Sequence, residues 1–263
     1  MPEGPEIRRA ADALAAAVVG VPLAGAWFAF DALKPYARRL RGRRIEAIAP
    51  HGKALLTRFD NGLTLYTHNQ LYGVWRVVDA GQRPASSRAL RVALETAHKG
   101  ILLYSASDIE IWPSARVHEH PFLARLGPDV LDPALEEAAV AARLVAPRFA
   151  RRALAGLLLD QGFLAGLGNY LRAEILWQAR LAPSRRPVDL DTDACAALAQ
   201  ALLGVPRHSY RTRGRPRGGQ LQDTPFRFRV FERTGEPCER CGTPIEKRAQ
   251  GGRPLYLCPR CQR

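Results

Sequence analysis

Gly156-Leu-Leu-Leu-Asp160-Gln-Gly-Phe-Leu-Ala-Gly166-Leu-Gly168-Asn-Tyr-Leu-Arg172 is the stretch on which the fold turns. Apolar residues recur at helical period on both sides of its centre, over 152–159 and 169–180. Between them, Asp160–Gly168 carries Gly162, Gly166 and Gly168. A helix-interior glycine costs about 1 kcal/mol relative to alanine, so the spacing predicts two helices joined by a turned segment. Helical period over 134–145 and 191–203 puts that pair inside a helical C-terminal half. The stretch 207–219 is basic and Gly-rich and is expected to be a mobile loop.

Upstream the pattern changes. Ile7, Ala11, Leu14 and Val18 repeat at helical spacing over 3–19, and Gly20 stops the helix. After it the period is two. Segments 22–30, 43–49, 53–59, 62–68, 73–78, 88–97 and 100–106 are short and rich in Val, Leu, Phe, Tyr and Trp, with Asp60-Asn61-Gly62 and His98-Lys99-Gly100 as hairpin turns. Such a series predicts a β-sandwich or barrel. Pro113, Pro121, Pro128 and Pro133 then mark a linker. The expected class is α+β: an N-terminal helix plus β-sandwich over 1–124, a linker and first helix over 125–150, a helical domain over 151–224, and a terminal module over 225–263. Residues 226–231 alternate like a strand leading into that module.

The terminal module holds Cys238-x2-Cys241 and Cys258-x2-Cys261. This spacing suits a four-cysteine zinc ribbon, each knuckle placing two thiolates on one ion. A pair of disulfides is the alternative, but no export signal accompanies the cysteines. One structural zinc is expected, since four cysteine ligands leave no position for water. Cys195, in an Ala-rich helical stretch, reads as a buried small hydrophobe.

The chain of 263 residues has a net charge of +14, and only Lys34, Lys53, Lys99 and Lys247 among its 39 basic residues are not Arg. Arg grips phosphate bidentately, so a nucleic-acid partner is expected ahead of other polyanions. A GC-rich genome accounts for the Arg excess but not for the net charge. No apolar run approaches a membrane span, and Glu3, Glu6 and Arg8 stand where a signal peptide would be apolar. A cytoplasmic monomer with no membrane partner is expected.

The chemistry begins at Met-Pro2-Glu3-Gly4-Pro5-Glu6. Removal of the initiator Met leaves Pro2 with a secondary α-amine of pKa about 7.7–8.0, partly neutral and nucleophilic at pH 7. Condensed with an aldehyde, that amine forms an iminium, an electron sink for elimination. On position alone, Pro2 reads as the start of a helix. The same start, followed by Gly52-Lys53-Ala54-Leu55-Leu56, by His68-Asn69-Gln70-Leu71-Tyr72-Gly73-Val74-Trp75, by the 156–172 stretch and by the cysteine knuckles, resembles the Fpg/Nei family of DNA glycosylases. The resemblance runs nearly the whole length and is strongest to the endonuclease VIII (Nei) branch, which acts on oxidised pyrimidines. The formamidopyrimidine branch typically wedges a Met into DNA, and this chain has no Met after Met1.

The resemblance implies a bifunctional DNA glycosylase/AP lyase of base excision repair. It implies double-stranded DNA with an oxidised pyrimidine or abasic site as partner, and a helix–two-turn–helix at 156–172. Pro2 would attack C1′ and Glu3 would serve as general acid/base, burial raising its pKa toward that of a proton donor. Glu6 would support the site, or simply charge a helix N-terminus. Lys53 would reach a phosphate or the ring oxygen, or else be a solvated strand-end Lys. Asn169 and the free N–H groups of its helix would hold a phosphate, or Asn169 would be a plain N-cap. Arg253, at the tip of the zinc hairpin, would grip the phosphates flanking the lesion and assist the second elimination, or be one more surface Arg. Arg125 would contact DNA from the linker. Gln70, Leu71 and Tyr72 would fill the gap left by a flipped base, Gln70 meeting the orphaned partner, or end a hydrophobic strand. The 207–223 segment would set base preference. A zinc-ribbon protein that binds distorted duplex without cutting it is the alternative; such a binder has no need of Pro2, Glu3 and Lys53.

Overall fold

A computed structural model describes residues 2–213, 224–250 and 252–263. It separates two compact units, one of Pro2 with Glu6–Arg125 and one of Glu3–Pro5 with Leu126–Arg263.

The first unit is a β-sandwich. Helix α1 (Gly4–Val18) is followed by β1 (Gly25–Phe28), the short α2 (Lys34–Leu40), β2 (Ile45–His51), β3 (Ala54–Phe59), β4 (Leu63–His68), β5 (Val74–Asp79), β6 (Leu90–Glu95), β7 (Lys99–Tyr104) and β8 (Asp108–Pro113). Two antiparallel four-stranded sheets form, in the orders β1-β6-β7-β5 and β2-β3-β4-β8. The core takes alternate residues from both sheets, among them Phe28, Phe59, Leu65, Leu94, Ile101 and Leu103. Ile7, Ala11, Leu14 and Val18 of α1 join it, each at most 3% exposed, as their spacing foretold. β8 was not foreseen; Ile109 and Ile111 alternate in it and pack on this core.

The second unit is helical, with α3 (Glu137–Val145), α4 (Leu154–Leu157), α5 (Asn169–Gln178) and α6 (Thr192–Thr212), and ends in a hairpin of β9 (Glu246–Gln250) and β10 (Arg253–Leu257). Helix α5 is buried from Tyr170 through Trp177, so it is the pillar of its core rather than an amphipathic surface helix. The Gly-rich segment before it is held by side chains. Arg143 donates to the carbonyls of Phe163 and Gly162 at 2.5 and 2.6 Å. Gln161 donates to Leu167 O at 2.9 Å and accepts from Gly166 N at 3.1 Å.

Two expectations change. Residues 207–212 are the last turns of α6, not loop, with Ser209 and Thr212 buried; 214–223 lie outside the described residues. Residues 226–231 form no strand. The amides of Arg229, Val230 and Phe231 donate instead to the buried Glu174 carboxylate of α5, at 2.9, 3.0 and 2.9 Å. Phe226, Phe228 and Phe231 alternate because they pack around Tyr170, with ring centroids 5.5–6.2 Å from it.

Candidate active site

Glu3 is 4% exposed although it stands at the start of the chain. Its Oε1 accepts from the Tyr170 amide at 2.9 Å and its Oε2 from the Leu171 amide at 3.2 Å. The adjacent Gly4 amide donates to Gly166 O at 2.8 Å. These bonds pin the residue after Pro2 onto the N-terminus of α5. Gly168 makes room for it: a Cβ there would lie 2.3 Å from Glu3 Cδ and 2.4 Å from Oε1. Two of the amides expected to await a phosphate are therefore occupied by Glu3.

Asn169 is not a capping residue. Gly168 is the N-cap of α5 and has no side chain of its own to cap it, and the Glu3 carboxyl takes that place. The Asn169 amide instead donates through Nδ2 to Pro254 O at 3.0 Å and accepts at Oδ1 from Arg172 Nη2 at 2.7 Å. Arg172 Nη2 also donates to Pro254 O at 3.1 Å, and Nη1 to Ala155 O at 3.0 Å. The Arg172 guanidinium is 1% exposed, and burial, with repulsion from Arg253, pulls its pKa down to about 10 against the attraction of Glu3. Arg253 is exposed and opens β10, next to the carbonyl that Asn169 and Arg172 grip.

The cysteines fit zinc. All four Sγ atoms lie within 4.8 Å of one another, with Cys238–Cys261 at 3.9 Å and Cys241–Cys258 at 3.5 Å. Four sulfurs about 2.3 Å from one ion in a tetrahedron stand about 3.8 Å apart, whereas a disulfide needs about 2.05 Å. All are free thiols, and hydrogen bonding from Thr243 lowers the Cys241 thiol to about 6, easing its conversion to a ligand thiolate. The ribbon is tied to α5. Trp177 Nε1 donates to Cys238 Sγ at 3.5 Å, and the Arg240 guanidinium covers the Trp177 ring at 3.7 Å. Gln262 accepts from Cys258 N at 2.8 Å and donates to Leu181 O at 3.2 Å.

In the sandwich unit, Pro2 is half-buried, and Lys53 follows Gly52 in the β2–β3 turn. Lys53 is only 8% exposed, so it is no solvated strand-end Lys. Glu6 accepts from Arg9 at 2.7 Å on α1. Arg125 is exposed, its Nε donating to Pro121 O at 2.8 Å. Beyond β4 the chain turns sharply: Gly73 N donates to Asn69 O at 2.7 Å, and Gln70 takes a left-handed φ of 48°. Leu71 and Tyr72 stand out of that turn, 58% and 67% exposed.

The model of the formamidopyrimidine-DNA glycosylase N-terminal domain matches residues 1–107, that of the formamidopyrimidine-DNA glycosylase H2TH domain matches 126–215, and that of the zinc finger found in FPG and IleRS matches 235–263. The chain belongs to the Fpg/Nei family. Endonuclease 8 of Klebsiella pneumoniae strain 342 is 60% identical, and endonuclease 8 of Escherichia coli K12 is 59% identical, each over 100% of both chains. The fold matches that of Lactococcus lactis Fpg, solved with DNA containing an oxidised pyrimidine (TM-score 0.84, 22% identity, 100% of each chain). It also matches that of the same protein with abasic-site DNA (TM-score 0.83, 23% identity, 99% of each chain). As an Fpg/Nei protein at this identity, the chain is a DNA glycosylase with AP lyase activity in base excision repair, with one structural zinc. Among the described residues no helix is long and apolar enough to cross a membrane.

Within this Fpg/Nei frame the structure adds residues that the sequence left unmarked. Gly168, by its composition a helix breaker, leaves the space that the Glu3 carboxyl fills. Arg172 lies three residues after Asn169, a helical spacing that brings the two side chains together, and this was the available signal. Trp177 and Gln262 carried no signal, because their partners, Cys238 and Leu181, are 61 and 81 residues away.

Proposed function

We propose that this glycosylase/lyase removes oxidised pyrimidines from duplex DNA through an imine on Pro2 and cleaves the strand by β- and then δ-elimination. The observation that carries the reading is the buried Glu3 carboxyl, one peptide bond from Pro2 and held by two helix amides. In this reading the Pro2 nitrogen attacks C1′ and the C1′–base bond breaks, the electron pair leaving with the base. Glu3 gives a proton to the sugar ring oxygen, the ring opens, and the C1′–N bond becomes an iminium. Loss of a C2′ proton expels the 3′ phosphate, and a second elimination expels the 5′ phosphate. A one-nucleotide gap with phosphate at both ends remains.

The other residues serve this path. Lys53, with its buried stem, offers its ammonium to a phosphate or to the ring oxygen. Asn169 and Arg253 hold phosphates beside the lesion, Arg172 steadies Asn169 directly and the chain beside Arg253 through Pro254 O, and Arg125 adds a backbone contact. Gln70, Leu71 and Tyr72 occupy the space of the extruded nucleotide. Glu6, in the first turn of α1, supports Glu3 from the helix that follows it. The sandwich and zinc-ribbon modules thus divide the work as 1–124 and 225–263, the helical 151–224 carrying the turn that binds Glu3. A monomer acting at the nucleoid suits this reading.

The test is product analysis on two duplexes. With thymine glycol the expected product is a gap bearing phosphates at both ends, made faster than from 8-oxoguanine. Faster excision of 8-oxoguanine would overturn the pyrimidine assignment. An unsaturated aldehyde as the end product would overturn the second elimination.

A further inference from the structure

The turn that presents Leu71 and Tyr72 is anchored at its base by a histidine. His68 is the last residue of β4, paired in register with Ala54 on one side and Asp108 on the other, so the sheet fixes its ring. The ring lies edge-on to Phe122, centroids 5.1 Å apart and planes at 70°. Its Nδ1 accepts the main-chain N–H of Gln70 at 3.1 Å. Gln70 adopts φ 48°, a left-handed conformation that a side-chain-bearing residue keeps only when its surroundings hold it. Farther along, Arg88 Nη1 donates to Tyr72 O at 2.5 Å.

We propose that His68 is the positioning residue of the Gln70–Leu71–Tyr72 wedge, its neutral ring holding the Gln70 main chain in the left-handed turn from which Leu71 and Tyr72 project. The proposal rests on reading these three residues as the segment that replaces a flipped nucleotide. Among the described residues that hold the turn, only His68 can change from acceptor to donor near neutral pH. Because Nδ1 accepts, the neutral ring carries its proton on Nε2. A second proton on Nδ1 would set N–H against N–H and release Gln70. Burial keeps the ring's pKa below its ordinary 6.5, Asp108 on β8 pulls it up, and Lys53 before β3 pushes it down. The wedge is therefore set at neutral pH and freed on the acid side, the neutral fraction falling about tenfold per pH unit once below the ring's pKa.

The experiment uses the full-length enzyme and a duplex carrying a tetrahydrofuran abasic analogue, which cannot react, opposite 2-aminopurine. The fluorescence change reports wedge insertion without chemistry. Native protein should lose the signal as pH falls on the acid side of the ordinary histidine range. His68→Asn places Oδ1 where Nδ1 stands and does not titrate, so its signal should stay flat with pH. His68→Leu, with no acceptor, should weaken insertion roughly three- to tenfold at every pH. Leu71→Ala is the control: if it leaves the signal intact, the wedge reading itself fails. If Leu71→Ala abolishes the signal while His68→Asn keeps the native acid limb, the wedge stands and the role of His68 is overturned. The same holds if His68→Leu inserts like the native protein. Should His68→Leu not fold, the comparison of His68→Asn with the native pH profile decides alone.

Discussion

Gly168→Ala is the most informative single substitution. The backbone at Gly168 has φ −148° and ψ −157°, extended geometry that alanine adopts freely, so the new methyl brings no backbone strain. Its whole effect falls on Glu3. The added Cβ would stand 2.3 Å from Cδ, 2.4 Å from Oε1 and 2.6 Å from Cγ, roughly an ångström or more inside van der Waals contact. The carboxyl must leave, and with it go its bonds to the Tyr170 and Leu171 amides. Hydrogen bonds to a charged acceptor are worth about 1.5–3 kcal/mol each, and a displaced acid/base group forfeits roughly 10²–10⁴-fold in rate. We expect single-turnover excision to fall by about that factor, while affinity for a tetrahydrofuran duplex, read by fluorescence anisotropy, changes by less than about threefold. The assay that isolates the cause is a double-mutant cycle with Glu3→Ala. If Gly168 acts only through Glu3, the double variant excises no more slowly than Glu3→Ala alone. A native rate for Gly168→Ala would refute the reasoning, and so would two losses that multiply.

Four further predictions follow from named contacts. Gly73→Ala puts a Cβ 2.7 Å from Asn69 Cα and O, so wedge insertion should be lost while binding to undamaged duplex is kept; gel shifts on the two DNAs check this. Ser107 Oγ donates to Gln70 Oε1 at 3.0 Å; with Gln70 meeting the orphaned base as proposed, Ser107→Ala should reduce discrimination among opposite bases roughly three- to tenfold in competition kinetics. Chelation of zinc should unfold the ribbon, since structural zinc supplies about 10–16 kcal/mol of apparent folding energy in such modules. Trp177 emission and strand cleavage should then change together while the sandwich keeps its far-ultraviolet signal. Hydrogen bonds from Arg83 hold Glu95 below its ordinary 4.5 despite partial burial, so its stabilisation is present above that pH and lost as pH falls through the depressed value. Glu95→Gln should lower the unfolding free energy read from urea titration slightly at pH 7, by under about 1 kcal/mol for a surface pair, and the difference from the native protein should shrink as pH falls through the acid range.

The parts of the fold legible in the sequence are those set by local pattern. The α1 stripe, seven of the strands and the cysteine knuckles each follow from spacing within a few residues. The terminal turns of α6 were hidden because Pro206, Arg207 and His208 interrupt its apolar period, although Ser209 and Thr212 still face inward. Residues 226–231 misread as a strand because alternating Phe serves an aromatic cluster as well as a sheet; only the Glu174 carboxylate reveals where their amides go. The candidate site divides in the same way. Lys53 sits in the β2–β3 turn and Gln70–Tyr72 just beyond β4, at strand ends that the period of two exposes. The hold on Glu3 joins residues 167 apart through a glycine, whose contribution is an absent side chain, and leaves no local mark.

Borohydride trapping located by peptide mapping tests the central claim most directly. The enzyme, with its natural N-terminus, is mixed with a thymine glycol duplex and reduced, and the adduct is digested and sequenced by mass. The account predicts one covalent DNA–protein species per chain, its adduct on the nitrogen of Pro2 and absent when the N-terminus is extended by even one residue. An adduct on Lys53, or one that survives the extension, would contradict it.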